Sequence, residues 1–247
     1  MSAPSMTVLH WRYLLLEQVR VPIGLVSAAA FPALSLLFFV VPFDYGAADE
    51  TAAVVGLSVF AVMSSFLFTF GVGVADDRER SWDPYLRTLP VAAWPRIAGR
   101  ILSGATFALV AIIPVIVVGA LFTQATATVP RLVLGIVALV VAGLPFLLGG
   151  LAIGYSLPVK AALPVTQLIF FPVAFAGGLL LPPQLFPGWL EAISLVTPAR
   201  GARELVVWAV QDTAPDTLAL VVLAGWTVLT AALAVWAYRR DEGRRFR

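Results

Sequence analysis

The sequence has no cysteine, a single histidine and a single lysine among its 247 residues. Without cysteine the chain forms no disulfide framework and no thiol site, and one histidine excludes an HExxH-type zinc site. A nucleotide-binding P-loop needs a lysine followed by serine or threonine, whereas Lys160 is followed by Ala161. These absences predict that the chain itself binds no metal ion or nucleotide cofactor.

Charge is also scarce, since 12% of the residues are charged while 60% are hydrophobic and the mean hydropathy is +0.95. A soluble domain carries roughly 25% charged residues, so the chain lies far outside that class. Its apolar residues form six blocks, each long enough for a bilayer core that takes about 20 helical residues. We predict an all-α polytopic membrane protein, a single transmembrane domain over residues 1–247, with spans at 21–43, 51–75, 101–123, 132–156, 161–181 and 217–238.

Those six blocks contain no Asp, Glu, Lys, Arg or His. Proton-coupled carriers and ion pumps normally place ionisable groups at membrane depth, and an intramembrane aspartyl protease needs two carboxylates there. The absence argues against all three classes. If the protein transports a solute, the energy has to come from another molecule.

The basic residues are divided unevenly between the two sides of the predicted spans. With the N-terminus in the cytoplasm, 13 of the 16 Lys and Arg residues lie in cytoplasmic segments, and only Arg131, Arg200 and Arg203 lie outside. Cytoplasmic flanks are rich in Lys and Arg, so this orientation is favoured, with both termini inside. The basic tail, 239–247, is then expected to lie on anionic lipid headgroups.

Two segments outside the spans have the pattern of short amphipathic helices. In residues 1–20, apolar residues recur at spacings of three and four: Val8, Trp11, Leu15 and Val19. This pattern predicts a helix in the headgroup layer. Residues 182–216 contain two stretches that are too short to cross a bilayer and are separated by Pro198. We expect two short external helices there, either dipping into the outer leaflet or lying on it.

The spans contain few distinctive side chains, and each of these has a packing interpretation beside a functional one. Phe66 and Phe70 share a face of the second span at an i,i+4 spacing, where they contact either substrate or other helices and lipid. Gln167 faces either a water-filled cavity or a hydrogen-bond partner on a neighbouring helix. Gly150 and Gly154 form a GxxxG pair, which predicts close approach of another helix.

Charged residues are concentrated in the segment 76–100, between the second and third spans. This segment must therefore project into water. It contains an apolar edge that suits a cleft on a partner protein, formed by Trp82, Tyr85, Leu86 and Leu89. Three arginines would set the orientation of such a complex, namely Arg78, Arg80 and Arg87. Pro90 and Pro95 stiffen the link to the third span. The alternative interpretation is an ordinary solvated loop that lies on the headgroups.

This charged segment resembles the second cytoplasmic region of type-2 ABC exporter permeases, through the string RERSWDPYLRTLPVAAWPRIAGRIL. In that family an acidic residue precedes a short helix, which is followed by a TP or LP step, a small-residue turn and a basic residue that enters the third span. The matching positions are Glu79, Tyr85, Leu86, Arg87, Thr88, Leu89, Pro90, Arg96 and Gly99. The family usually has Gly-Thr where this chain has Ser81 and Trp82.

A second segment resembles the same family, through the string GGLLLPPQLFPGWLEAISLVTPARGARELV. The shared features are a Gly-rich end of the fifth span, a Pro-rich step, a Trp-Leu amphipathic helix and a proline before a second short helix. With the six spans and the amphipathic start, the resemblance covers nearly the whole chain.

The resemblance implies a half-transporter in which two permeases assemble with two copies of a separate ATPase subunit that binds ATP and Mg. The short cytoplasmic helix would be the coupling helix, with ATPase contacts at Glu79, Trp82, Tyr85, Leu86, Arg87, Leu89 and Pro90. The second and fifth spans would line a substrate path at the interface of a permease homodimer, with the candidates Phe66, Phe70, Gln167, Phe170 and Phe171. The external helices would form a gate with Trp189, Glu191, Arg200 and Glu204.

The expected function is therefore that of the permease subunit of an ABC exporter in the bacterial cytoplasmic membrane, with no enzymatic activity of its own and no nucleic-acid partner. Because the proposed path offers no fixed charge, the expected substrate is hydrophobic or amphipathic, first a drug or antibiotic. A lipid or glycolipid substrate is one alternative. A membrane carrier that works without an ATPase is another, and it would predict activity in the isolated chain.

Overall fold

The computed structural model describes residues 3–20, 22–80 and 94–244, and the side chains of residues 4–20, 29–80 and 94–242. Across these ranges the chain forms helices joined by short connectors, without a β-strand. The helices are α1 Ala3–Arg20, α2 Pro22–Phe39, α3 Ala47–Leu67, a π-helical segment Phe68–Val72, α4 Gly73–Glu79, α5 Trp94–Phe122, α6 Val129–Ser156, α7 Val159–Ala176, a 3-10 turn Pro183–Leu185, α8 Gly188–Leu195, α9 Pro198–Gln211 and α10 Thr217–Arg244.

Five helices in the described ranges are long and apolar enough to cross a membrane. They are Ala47–Glu79, Trp94–Phe122, Val129–Ser156, Val159–Ala176 and Thr217–Glu242. The prediction of a helical multi-pass membrane protein is thus confirmed, with five of the six predicted spans. For the first block, 21–43, the structure has α2, whose side chains are described only over Ala29–Phe39, so a sixth span stays a prediction.

The fifth predicted span differs from the helix that corresponds to it. We predicted helix up to Leu181, whereas α7 ends at Ala176. Two residues later Gly178 has a φ of 73°, a left-handed conformation that glycine adopts without steric cost and that ends the helix. The short helices predicted to follow are confirmed as α8 and α9.

Charged residues extend helices beyond the apolar blocks. Within the predicted loop 76–100, α4 continues to Glu79 and α5 begins at Trp94. Likewise α10 continues through most of the predicted tail to Arg244. These polar turns stay helical because their side chains have partners, such as the hydrogen bond of 2.6 Å that Tyr238 Oη donates to Glu242 Oε1.

The close approach predicted from the GxxxG pair is present where α6 packs on the π-helical segment. A Cβ atom on Gly150 would lie 2.9 Å from Phe70 Cβ and 3.0 Å from Phe66 O. One on Gly154 would lie 2.8 Å from Val74 Cβ and closer still to Phe70 O. Real Cβ atoms essentially never come within 3.0 Å of such neighbours, so the two helices reach this separation only with glycine here.

At one end of the bundle α1 packs across the start of α5. Trp11 Nε1 donates a hydrogen bond of 3.1 Å to Thr106 Oγ1, and a Cβ atom on Gly99 would lie 3.0 Å from Thr7 O. Val19 on α1 remains 65% exposed. The predicted N-terminal helix is therefore present, with one side held by α5 and apolar side chains left for a headgroup layer.

His10 gives the packing of α1 a pH dependence. Burial lowers the pKa of His10 below its usual 6.5, and the positive charge of Arg96 lowers it further. On acidification His10 takes up a proton at a higher pH in the undocked helix than in the docked one. Docking of α1 is therefore strongest above about pH 6.5 and weakens as the pH falls below it. After correction for intrinsic rates, we expect the backbone amide hydrogens of α1 to exchange with solvent faster at about pH 5.5 than at about pH 7.5. We expect His10→Gln to remove this difference. The same pH dependence in the variant would contradict the assignment to His10.

Candidate functional site

Of the residues predicted to contact an ATPase, Glu79 lies in the described part of the chain, as the last residue of α4. The other six fall within residues 81–93, outside the described ranges, and their roles stay predictions: Trp82, Tyr85, Leu86, Arg87, Leu89 and Pro90. The described residues that lead into that segment are those at the end of α4 and its C-cap, Arg80.

We call residues 76–80 the charged turn, because all five carry a charge: Asp76, Asp77, Arg78, Glu79 and Arg80. Successive side chains of a helix point about 100° apart around its axis, so neighbours in sequence reach different neighbours in space. The last four side chains of the turn bond to α1, α5, α6, α7 and α10. One turn of helix thus connects five others.

Arg78 joins α4 to the ends of α6 and α10. Its Nη1 donates hydrogen bonds of 2.7 Å to Gly154 O and 3.3 Å to Leu157 O, which are carbonyls at the C-terminal end of α6. Its Nη2 forms an ion pair with Asp241 of α10, whose side chain is only 5% exposed. The guanidinium also lies 6.0 Å from the ring centroid of Tyr155. A cation at a helix C-terminus is stabilised by the helix dipole as well as by the hydrogen bonds.

Glu79 connects the charged turn to α7. Its Oε1 accepts a hydrogen bond of 2.8 Å from the backbone N–H of Val159, the first residue of α7. The first N–H groups of a helix have no partner within the helix, and a carboxylate there is also favoured by the helix dipole. The structure therefore gives Glu79 a partner within the chain, and its predicted contact with an ATPase is untested.

The rest of the charged turn reaches two further helices, α1 and α5. Asp77 forms an ion pair with Arg100 of α5. Arg80 Nη1 lies 3.1 Å from Glu17 Oε1 of α1, and Arg80 Nη2 lies 3.1 Å from Asp76 Oδ2. Burial lowers the pKa of Arg80, but the carboxylates of Asp77, Glu17 and Asp76 outweigh burial and hold that pKa above its usual value. The turn is thus fixed on two more sides.

Sequence reasoning missed Asp241, Arg100 and Glu17 as partners of the charged turn. Asp241 was part of a segment that we treated only as a basic tail. The one feature of the sequence that could have indicated this contact is the acidic pair Asp241 and Glu242, in a tail whose other charged residues are arginines. No spacing rule connects positions 78 and 241, because the contact spans 163 residues.

A second polar cluster lies at the start of α3, which is the other end of the continuous helix Ala47–Glu79 that carries the charged turn. Sequence reasoning also missed this cluster. Glu50 is only 4% exposed, and its Oε2 accepts a hydrogen bond of 2.5 Å from the backbone N–H of Gln124. Thr51 Oγ1 accepts another, of 3.1 Å, from the backbone N–H of Thr126. The connector between α5 and α6 thus folds over the start of α3.

The residues predicted for a substrate path divide into a buried and an exposed group. Phe66 and Phe70 are 2% and 0% exposed, with ring centroids 5.9 Å apart. Phe170 is buried as well, with its ring centroid 5.6 Å from that of Phe68. In this conformation these three rings pack between helices, and a role in a path stays a prediction.

The exposed group of path candidates lies on α7. Gln167 and Phe171 are exposed, beside Leu168, which is 74% exposed. Phe171 still touches the buried group, since its ring centroid lies 5.0 Å from that of Phe170. An apolar face with one amide is therefore open on this helix, while its other side packs on the π-helical segment.

The predicted gate residues fall on α8 and α9. Trp189 is 66% exposed and Glu191 is exposed, both on α8. On α9, Arg200 Nε lies 2.9 Å from Glu204 Oε1, and Arg203 Nη1 lies 3.8 Å from the same oxygen. Two guanidinium groups thus share one carboxylate, while the pair on α8 remains outside this cluster. A gating role for either pair stays a prediction.

Comparison with known proteins identifies a family and two relatives. The sequence model of the ABC-2 type transporter membrane family matches residues 5–210. The chain is 26% identical over 259 residues to the daunorubicin resistance ABC transporter permease protein DrrB1 of Streptomyces coeruleorubidus, covering 98% of this chain and 88% of that protein. It is 21% identical over 197 residues to YvfS of Bacillus subtilis (strain 168), described as a transport permease, covering 78% and 79% respectively. The family match spans far more than half of the chain, which therefore belongs to the ABC-2 type transporter family of membrane permeases.

Proposed function

We propose that the chain is the permease subunit of an ATP-driven ABC exporter, which moves a hydrophobic or amphipathic, drug-like compound across the bacterial cytoplasmic membrane. A separate ATPase subunit would supply the energy. Membership of the ABC-2 family supports a transport role. The name of the relative from Streptomyces, a daunorubicin resistance permease, supports a drug-like substrate.

The observation that carries the proposal is the charged turn. It immediately precedes residues 81–93, the segment predicted to bind the ATPase, and its side chains bond to five helices. A displacement of that segment would pull on the ends of α6, α7 and α10 together, because charge-assisted hydrogen bonds, which are stronger than neutral ones, join the turn to all three. This is the arrangement that a lever driven from one end of the bundle requires.

The proposed assembly has two permeases, as a homodimer, and two ATPases, with both permease termini in the cytoplasm and α2 as the first of six spans. The basic residues support this orientation, because the end with the charged turn also carries Arg100, Lys160, Arg239 and Arg240. ATP and Mg would bind to the ATPase. An open apolar face on α7 is compatible with a substrate path between the two permeases.

The test is purification of the tagged chain from its native host in mild detergent, followed by mass spectrometry. We expect a P-loop ATPase to co-purify with the wild type and to be reduced at least about tenfold in Tyr85→Ala/Leu89→Asp, because apolar anchors at the centre of an interface carry most of the binding energy. The matched control is Tyr45→Ala/Val129→Asp, which alters two exposed residues, 47% and 75% exposed. They lie just before α3 and at the start of α6, at the end of the bundle opposite the charged turn.

Transport is then measured as ATP-dependent uptake of daunorubicin into inverted vesicles that contain the chain and the identified ATPase. Uptake that needs ATP and is lost in the coupling variant supports the proposal. Absence of an ATPase from the wild-type preparation, together with uptake by vesicles containing the chain alone, would contradict it and favour an ATPase-independent carrier.

A further inference from the structure

An open groove of about 660 Å³ runs along the outer face of α10. Its lining combines small and apolar residues at one end with two arginines at the other: Ala231, Ala232, Val235, Trp236, Arg239 and Arg240. These positions follow one face of the helix, since they recur at spacings of four. The opposite face carries the buried Ala234, Ala237 and Asp241. The groove therefore faces away from the bundle.

The dimensions of the groove fit one chain of a membrane lipid. From Ala231 to Arg240 the helix rises by about 14 Å, close to half of a hydrocarbon core of about 30 Å. With the apolar block 217–238 crossing the membrane, the small side chains would lie towards its middle and the guanidinium groups would lie where the headgroups begin. An acyl chain beside Ala231 and Ala232 would thus place its headgroup against Arg239 and Arg240.

The arginines are arranged to bind an anion. The guanidinium of Arg240 lies 5.1 Å from the ring centroid of Trp236, a cation–π contact that orients it beside an aromatic residue suited to the headgroup layer. Neither Arg239 nor Arg240 has a carboxylate partner within the described ranges, whereas the neighbouring Asp241 is paired with Arg78. Both positive charges are therefore available to a phosphate.

We propose that this groove is a binding site for a phospholipid with an anionic headgroup. The lipid occupies the outer face of α10 while the inner face of the same turn presents Asp241 to Arg78. Bound lipid thus holds the end of α10 against the bilayer surface and fixes the depth at which this ion pair forms. The inference concerns the described residues of α10 and does not depend on the proposed substrate or energy source.

The experiment uses the purified full chain in bilayers of phosphatidylcholine that contain a small fraction of dibrominated lipid, whose acyl bromines quench nearby tryptophan. The signal of Trp236 is the difference between the wild type and Trp236→Phe. We expect dibrominated phosphatidylglycerol to quench Trp236 more strongly than dibrominated phosphatidylcholine. Arg239→Gln/Arg240→Gln should reduce this preference about tenfold, because each arginine near the surface contributes to anionic-lipid binding.

Two variants separate a site from a general effect. Arg12→Gln/Arg20→Gln removes the same charge from α1, where both side chains are exposed, and should leave the preference for phosphatidylglycerol at Trp236 intact. Ala232→Leu fills the groove, retains both arginines, and should reduce quenching by either lipid. Ala232 is exposed, so the bundle can fold around the larger side chain.

Three results would overturn the proposal. Equal quenching by the two lipids in the wild type would mean that ordinary annular lipid covers α10. Equal loss of preference in the α1 and α10 variants would mean that surface charge alone attracts the lipid. Absence of quenching at Trp236 in a protein that behaves as a dimer would mean that a second copy of the chain covers this face.

Discussion

Replacing Arg78 with methionine is expected to lower the free energy of unfolding by about 3–5 kcal/mol, because it removes one member of a buried ion pair. The side chain of Asp241 is only 5% exposed. The end of α6 would also lose two hydrogen bonds to its carbonyl groups, at Gly154 and Leu157. The measurement is unfolding of the purified protein in mixed micelles with increasing SDS, followed by circular dichroism.

The ion pair can be separated from the loss of a long side chain by a double substitution. In Arg78→Met/Asp241→Leu both charges are removed, and we expect most of the lost stability to return, since apolar replacements of a whole buried pair are often neutral. The matched control is Arg12→Met, at an exposed site on α1, which should change stability by less than about 0.5 kcal/mol. A single Arg78 variant as stable as this control would contradict the role given to the charged turn.

Replacing Gly154 with alanine is expected to destabilise the bundle by about 1–3 kcal/mol, although alanine is normally the better helix former. The added Cβ atom would meet the backbone of the π-helical segment, at Gly71 O and still closer at Phe70 O, and backbone cannot move aside as a side chain can. Helices α4 and α6 would have to separate, which would also lengthen the hydrogen bond from Arg78 to Gly154 O.

Two other glycines provide the controls for that experiment. A Cβ atom on Gly104 would lie 2.6 Å from Phe70 Cζ, so Gly104→Ala meets only the tip of a ring, and Phe70→Leu should restore stability to Gly104→Ala but not to Gly154→Ala. Gly225 on α10 has no atom within 4 Å of such a Cβ, and Gly225→Ala should stabilise the helix by roughly 0.5–1 kcal/mol. Rescue of Gly154→Ala by Phe70→Leu would show that the ring, and not the backbone, sets the helix separation.

Much of the fold follows from local patterns in the sequence. Blocks of about 20 apolar residues predict membrane helices, because they have the length of a spanning helix and a helix pairs its backbone N–H and C=O groups within the segment. Five of these blocks form such helices. The GxxxG pair, Gly150 and Gly154, predicted close helix packing for a steric reason that the structure bears out. Pro198 was correctly predicted to mark the boundary of two short helices. It is the first residue of α9, a position where proline is tolerated.

The polar contacts of the site were predicted less well, because they join residues that are far apart in the sequence. Burial of Glu50 depends on a connector that starts more than seventy residues later, and Asp241 meets Arg78 only after all the intervening helices have packed. The aromatic rings show the same limit. The i,i+4 spacing of Phe66 and Phe70 predicted that they share a face, but the glycines of other helices decide what that face touches.

The π-helical segment Phe68–Val72 determines which way the charged turn points. In an unbroken α-helix the twelve residues from Phe66 to Arg78 would turn the two side chains about 120° apart, since each residue contributes about 100°. The wider π turn, in which the N–H of Gly73 bonds to Phe68 O, absorbs one residue and reduces that angle to about 20°. Both side chains therefore point towards α6: Phe66 packs against Gly143, and Arg78 donates a hydrogen bond to Gly154 O. The π-helical segment thus rotates the following residues around the helix axis. As a result, one continuous helix contacts α6 twice, through the ring of Phe66 and, about three turns later, through the guanidinium of Arg78.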